Sequence, residues 1–174
     1  EVLDGIADTD GRSGEATVRK NKSGIVVKGL HDLAVRFSRC CNPVPGDEIV
    51  GFVTRGRGVS IHRTDCINVI NLPEDERGRL IDAEWQVAEN PTSTEQYSTE
   101  IQIFANNRIG LFADISKVFT EKQIDITSMN VRTSKQGRAT IIMTFDIHGT
   151  EELNRITDKI RQIDGVLDIQ RTTG

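Results

Sequence analysis

Residues 138–165 read RATIIMTFDIHGTEELNRITDKIRQIDG, and the apolar period changes halfway along. Ile141, Met143, Phe145 and Ile147 fall on every second position, which predicts a strand with one buried face. From Thr150 onward, Leu153, Ile156, Ile160 and Ile163 recur at helical spacing, with Thr150 as the expected N-cap and Gly165 as the stop. Working outward, IDITSMNVRT (124–133) predicts a strand that SKQG (134–137) joins to the first as a hairpin. LFADISKVFTEK (111–122) predicts an amphipathic helix with Leu111, Ile115, Val118 and Phe119 on one face. YSTEIQIFA and GVLDIQRT supply strands at either end. The order βαββαβ is the ferredoxin-like arrangement, one antiparallel sheet with both helices on one face.

Upstream the pattern changes. GIVVKG, LAVRFSRC, EIVGFVT, VSIH and LIDAEW predict short strands, and RTDCINVINL a short helix with Thr64 or Asp65 as N-cap. They describe a small mixed α/β domain over 25–88. A Pro- and Ser/Thr-bearing acidic linker at 89–96, with its boundary near Pro91, separates it from a second domain over 97–174. The whole is α+β. The first 24 residues are polar and Gly-rich and are expected to form a linker or frayed terminus. The chain opens without Met, as a fragment of a longer protein would.

Charge is unevenly spread. Between Ala16 and Cys66 there are nine Lys/Arg against four Asp/Glu, but between Ile67 and Glu100 two against eight. The basic block points to a polyanionic partner for the first domain; a merely solvated face is the alternative. Arg55 and Arg57 lie in TRGRG, a predicted hairpin tip where glycines permit close approach. With Arg36, Arg39, His62 and Arg63 they are candidate phosphate contacts, suited to the shape and charge of structured RNA. No apolar run approaches a membrane span and no signal-peptide pattern occurs, so a cytoplasmic setting without membrane attachment is expected. There is no phosphate loop. His31-Asp32 lacks the further ligands that an HD-type hydrolase needs, and no nucleophile–base pair stands out.

Residues 39–48, RCCNPVPGDE, place two thiols before a stiff turn. Cys40, Cys41, His62 and Cys66 together offer a zinc-type ligand set. Adjacent cysteines are poorly spaced for zinc unless the Pro-rich turn bends them together, so packed, inert thiols are the simpler reading. No cofactor is certain from the sequence; the four N/S ligands would fit structural zinc.

NNRIGLFADISKVF and IDITSMN resemble the ACT domain family. GIVVKG, CCNPVPGDEIVGFVTRGRGVSIHRTDC and a following ACT domain together resemble the C-terminal regulatory region of long RelA/SpoT-family (p)ppGpp synthetase/hydrolases. There the first domain is described as conserved-cysteine, zinc-finger-like or ribosome-intersubunit. The resemblance spans residues 24–174 and implies a non-catalytic piece of a stringent-response enzyme. Implied partners are the ribosome, with its ribosomal RNA and an uncharged tRNA, and catalytic N-terminal domains of the same polypeptide. It also implies a homodimer through the ACT domain and a small effector, a branched-chain amino acid suiting the apolar neighbours. The matching effector positions are Asn107, Arg108, Ile109, Gly110, Leu111, Ser128, Met129 and Asn130. The alternative is a stand-alone amino-acid-sensing ACT module with a zinc-binding spacer.

Overall fold

In a computed structural model the described residues are 24–27, 34–86 and 95–173. His31, Asp32, Leu33, the N-terminal segment and most of the linker lie outside them.

The first unit is built from β1 (Ile25–Val27), β2 (Val35–Phe37), β3 (Ile49–Val53), β4 (Val59–Arg63) and β5 (Leu80–Trp85). They form one sheet in the order β1-β5-β3-β4-β2, curled into half a barrel. β2 runs parallel to β4 and the other pairs are antiparallel. The two faces differ, because side chains alternate along a strand. One face gathers Ile25, Val27, Val59, Ile61 and Ala83. On the other, Val50 pairs across to His62, and Cys41, Cys66 and Val69 form a second small cluster beside Cys40, Val50 and Leu80.

The helix expected after β4 is only α1 (Ile67–Ile70), and its N-cap is Cys66 rather than Thr64 or Asp65. Asp65 is engaged instead by the Arg63 guanidinium. A 3-10 helix at Glu74–Arg79, unforeseen in the sequence, leads into β5.

The second unit has the expected βαββαβ order: β6 (Tyr97–Asn106), α2 (Leu111–Glu121), β7 (Ile126–Thr133), β8 (Arg138–Ile147), α3 (Thr150–Arg161) and β9 (Val166–Arg171). Its antiparallel sheet runs β7-β8-β6-β9. Ile101, Ile103, Ile141, Met143 and Phe145 bury their side chains against Leu111, Ile115, Phe119, Leu153, Ile156 and Ile160 of the helices. Phe119 and Phe145 meet edge to face, with centroids 4.9 Å apart. Burying each large apolar side chain stabilises by about 1.5–3 kcal/mol.

The NPVPGD turn joins the two units. Val44 is fully buried within the core of the second unit. The Thr150 N–H donates to Pro45 O at 2.8 Å. Thr150 is therefore the first residue of α3, not its cap; Gly149 takes that position. The Glu152 carboxylate accepts from the His148 N–H at 2.8 Å and serves the helix entry. Arg171 forks onto Asp47 at 2.6 and 3.0 Å, and Trp85 Nε1 donates to Asp47 O at 3.0 Å. Phe37, Trp85 and Tyr97 pack as a three-ring cluster across the junction. Gly46 has φ +101°, and a Cβ there would meet Thr150 Oγ1 at 2.0 Å. Only glycine satisfies both demands.

Candidate metal centre

Cys40 and Cys41 occupy a turn closed by the Asn42 N–H donating to Ser38 O at 3.1 Å. Asn42 itself has φ +46°, a left-handed conformation that asparagine tolerates. In an extended strand adjacent side chains would point to opposite faces; this turn brings them to one side. Their Sγ atoms lie 4.0 Å apart. β4 contributes His62, whose Nδ1 lies 3.4 Å from Cys40 Sγ and 3.9 Å from Cys41 Sγ. Cys66 completes the set, 3.4 Å from Cys40. All four ligand atoms lie within 4.8 Å of one another.

In tetrahedral zinc, Zn–S bonds of about 2.3 Å put neighbouring sulfurs about 3.8 Å apart. Three thiols and one imidazole converging at that scale fit a closed structural site. The thiols are free, with Cys41 and Cys66 buried. When bound, zinc would cross-link the Cys40–Cys41 turn, β4 and the start of α1.

The surroundings set the charge state. Burial pushes the Cys41 thiol up to about 12 and raises Cys66 as well. Cys40 is also raised by burial, but hydrogen bonds from Ser38, Asn68, Cys66 and Cys41 more than offset this and bring it below its usual value. Burial lowers His62, keeping its ring neutral and able to coordinate. The Arg63 N–H donates to Cys41 Sγ at 3.3 Å, and the Arg63 guanidinium donates to Cys41 O at 3.3 Å. Such partners orient first ligands and stabilise thiolate charge. The supporting groups Ser38, Asn68, Asp47 and Arg171 had no marker in the sequence beyond the turn signature around Asp47.

The six basic candidates divide. Arg36, Arg39, Arg55 and Arg57 are exposed, the last two at the β3–β4 tip. Arg63 is 6% exposed and bonded to carbonyls and Asp65, and His62 faces the thiols. The Arg63 donors are thus spent within the fold, and His62 turns its Nδ1 toward the thiols rather than to solvent.

The effector candidates also divide. Gly110 has φ +81° with open space at its Cβ apart from Arg108 Nη1, 3.7 Å away, and caps α2. Asn107 and Ile109 are exposed, Ile109 completely. Leu111 is buried in the core. Arg108 is committed within its own chain, donating to Asp164 O at 2.8 Å, Ile109 O at 3.1 Å and Asp114 at 2.6 Å. Met129 pairs with Met143, itself opposite Ile101. That register puts Ser128, Met129 and Asn130 mid-sheet on an edge strand, well away from the loop that follows Asn106. One copy of the chain does not bring the two groups together.

Comparison with known families agrees with this architecture. The RelA/SpoT RIS domain model matches residues 25–86 and an ACT domain model matches 93–171. A GTP pyrophosphokinase of Streptomyces coelicolor is 40% identical over 150 residues, 86% of this chain and 17% of that protein. One from Escherichia coli K12 is 36% identical over 156 residues, 89% of this chain and 20% of its own length. The chain thus spans about a fifth of the curated relatives it matches. The crystal structure of the ACT domain from GTP pyrophosphokinase of Chlorobium tepidum overlays 44% of this chain and 99% of its own, with TM-score 0.41 and 22% identity. Neither matched domain is catalytic. With both regulatory domains accounted for in order, the chain belongs to the RelA/SpoT family and holds its RIS and ACT domains.

Proposed function

We propose that this chain reports ribosome engagement to distant catalytic domains of a cytoplasmic (p)ppGpp synthetase/hydrolase. The RIS domain grips structured ribosomal RNA near an uncharged tRNA, and the metal centre holds that surface in shape. The observation that carries this reading is the exposed set Arg36, Arg39, Arg55 and Arg57 on a domain in which four potential metal ligands converge. Arginine at a hairpin tip contacts phosphate without reading sequence. Among the described residues no helix is long and apolar enough to cross a membrane.

Co-sedimentation with ribosomes carrying uncharged tRNA tests it. Arg55→Ala with Arg57→Ala should weaken binding and lower the salt dependence by about one unit of log–log slope per arginine. Unchanged binding would move the contact elsewhere.

The ACT domain has a second role in this proposal, as a dimerisation and effector module. Gly110 leaves the backbone open at the start of α2, where free N–H groups suit a carboxylate. The edge strand β7 offers unpaired backbone to a second copy, and a second copy is what would complete an effector site from the two separated residue groups. Calorimetry with valine, isoleucine and leucine, against glycine and lysine, tests that role. Saturable binding lost in Gly110→Ala supports it, and flat traces restrict the domain to docking.

A further inference from the structure

We propose that occupancy of the thiol–imidazole centre is coupled to the docking of the ACT domain's last strand, so that metal loading locks the two domains in one relative orientation. The inference rests on the metal reading above. Three chain segments carry the ligands, and each makes a hydrogen bond to residues 171–173. The Cys40–Cys41 turn does so through Asn42, whose carbonyl accepts from Arg171 Nη2 at 3.1 Å. β4, which carries His62, does so through the next residue: Arg63 Nη1 donates to Thr172 O at 3.3 Å. The segment of Cys66 does so through the Ile67 N–H, which donates to Thr173 O at 2.9 Å.

Arg63 is the centre of this junction. Its backbone N–H meets Cys41 Sγ, while its guanidinium spans Cys41 O, Thr172 O and Asp65. A shift of the Cys41 turn therefore changes the bonds that hold the ACT strand. The side chain is nearly buried, so its donors have no water to replace a lost carbonyl. A metal binds only where all four ligands converge, and the convergent arrangement is the one that presents Asn42 O, Arg63 and the Ile67 N–H together to residues 171–173. A ligand that favours one arrangement shifts the population toward it, and the effect is reciprocal. ACT docking therefore tightens metal binding by the same factor that metal tightens docking.

The test uses the full 174-residue chain, with and without zinc. Bound zinc is counted by elemental analysis, and amide hydrogen exchange is followed at residues 166–173. Zinc is expected to slow exchange there about ten-fold while the exposed 134–137 hairpin stays unchanged. Arg63→Gln should retain one zinc per chain yet lose that protection. Arg171→Lys, a milder change, should weaken zinc affinity by the factor it removes from the exchange response. One zinc per chain with unaltered exchange at 166–173 overturns the coupling and leaves the metal centre standing. A chain that takes up no zinc overturns both.

Discussion

The RIS and ACT units solve the same problem with different means. The ACT unit has ten-residue strands in β6 and β8 and two helices of 11 and 12 residues laid over them. Its core runs from Ile101 to Ile169 with two aromatic rings at the centre. The RIS unit has strands of three to six residues and, among the described residues, a main cluster of five buried side chains with six partly buried ones packed against it. Its second cluster has three, two of them cysteines. A domain of that size buries too little apolar surface to be secure on packing alone, and small domains commonly add a metal or disulfide staple. The thiols lie where the packing of the RIS unit is thinnest, whereas the ACT unit is held by its own side chains, the borrowed Val44 and the bonds from Pro45 and Asp47.

The largest expected effect breaks the comparison open. Structural zinc contributes on the order of 10 kcal/mol to small metal domains. Chelation, or Cys41→Ala, should therefore drop the denaturant midpoint of residues 34–86 well below its zinc-loaded value, while the ACT unit keeps its helical circular dichroism. Loss of both together would mean that the ACT unit also depends on the metal. Next in size, Phe145→Ala should cost about 3–5 kcal/mol from the cavity it leaves, read as a lowered denaturant midpoint of the ACT transition with the RIS transition retained.

Asp47→Ala leaves Arg171 partly buried without its forked partner, and breaking such a pair costs about 3 kcal/mol. Double-mutant cycles with Arg171→Ala would show how much belongs to the pair itself. For the metal-free chain, pH gives a smaller effect with two flanks. His62 is held below its usual value, so its contribution is present above about pH 6.5 and is lost as pH falls through the lowered folded value. Cys41 is raised from 9.0 to about 12, so its contribution is full below pH 9 and is lost as pH climbs toward 12. Urea midpoints across pH should therefore peak between about 6.5 and 9, and a flat profile would contradict the buried placement of both groups. The smallest effect is a null: Arg55→Ala with Arg57→Ala should shift stability by less than about 0.5 kcal/mol, because both side chains stand in solvent. Their importance would then lie in binding alone.

Legibility in the sequence followed the range of the interactions. The βαββαβ order was readable because period 2 at 141–147 and helical spacing at 153–163 are local signals that the core later satisfies. The short RIS strands were also readable, as alternation bounded by Gly and Pro. The metal set was legible by residue type but not by spacing. Spacing rules describe a ligand pair on one stretch of chain, whereas here the Asn42 turn rotates one thiol and β4 brings His62 from 22 residues away. The fates of Arg63, Thr150 and Arg108 were not legible, since each is decided by a carbonyl or carboxylate from elsewhere in the fold: Thr172, Pro45 and Asp164 respectively. Arginine in a basic block reads as a surface charge until the fold gives it a partner.

Val44 carries a practical consequence for anyone exchanging parts between relatives. By position it lies within the span matched as RIS, yet its side chain is one of the fully buried members of the ACT core. The seam of the molecule therefore does not follow the linker. A chimera cut at residue 93 would pair one relative's plug with another relative's socket, and a mismatch of a single methylene there is felt as a void or a clash. Grafts that carry residues 42–47 along with the ACT unit keep plug and socket from the same parent. The unit of inheritance at this junction is a shape shared across two domains.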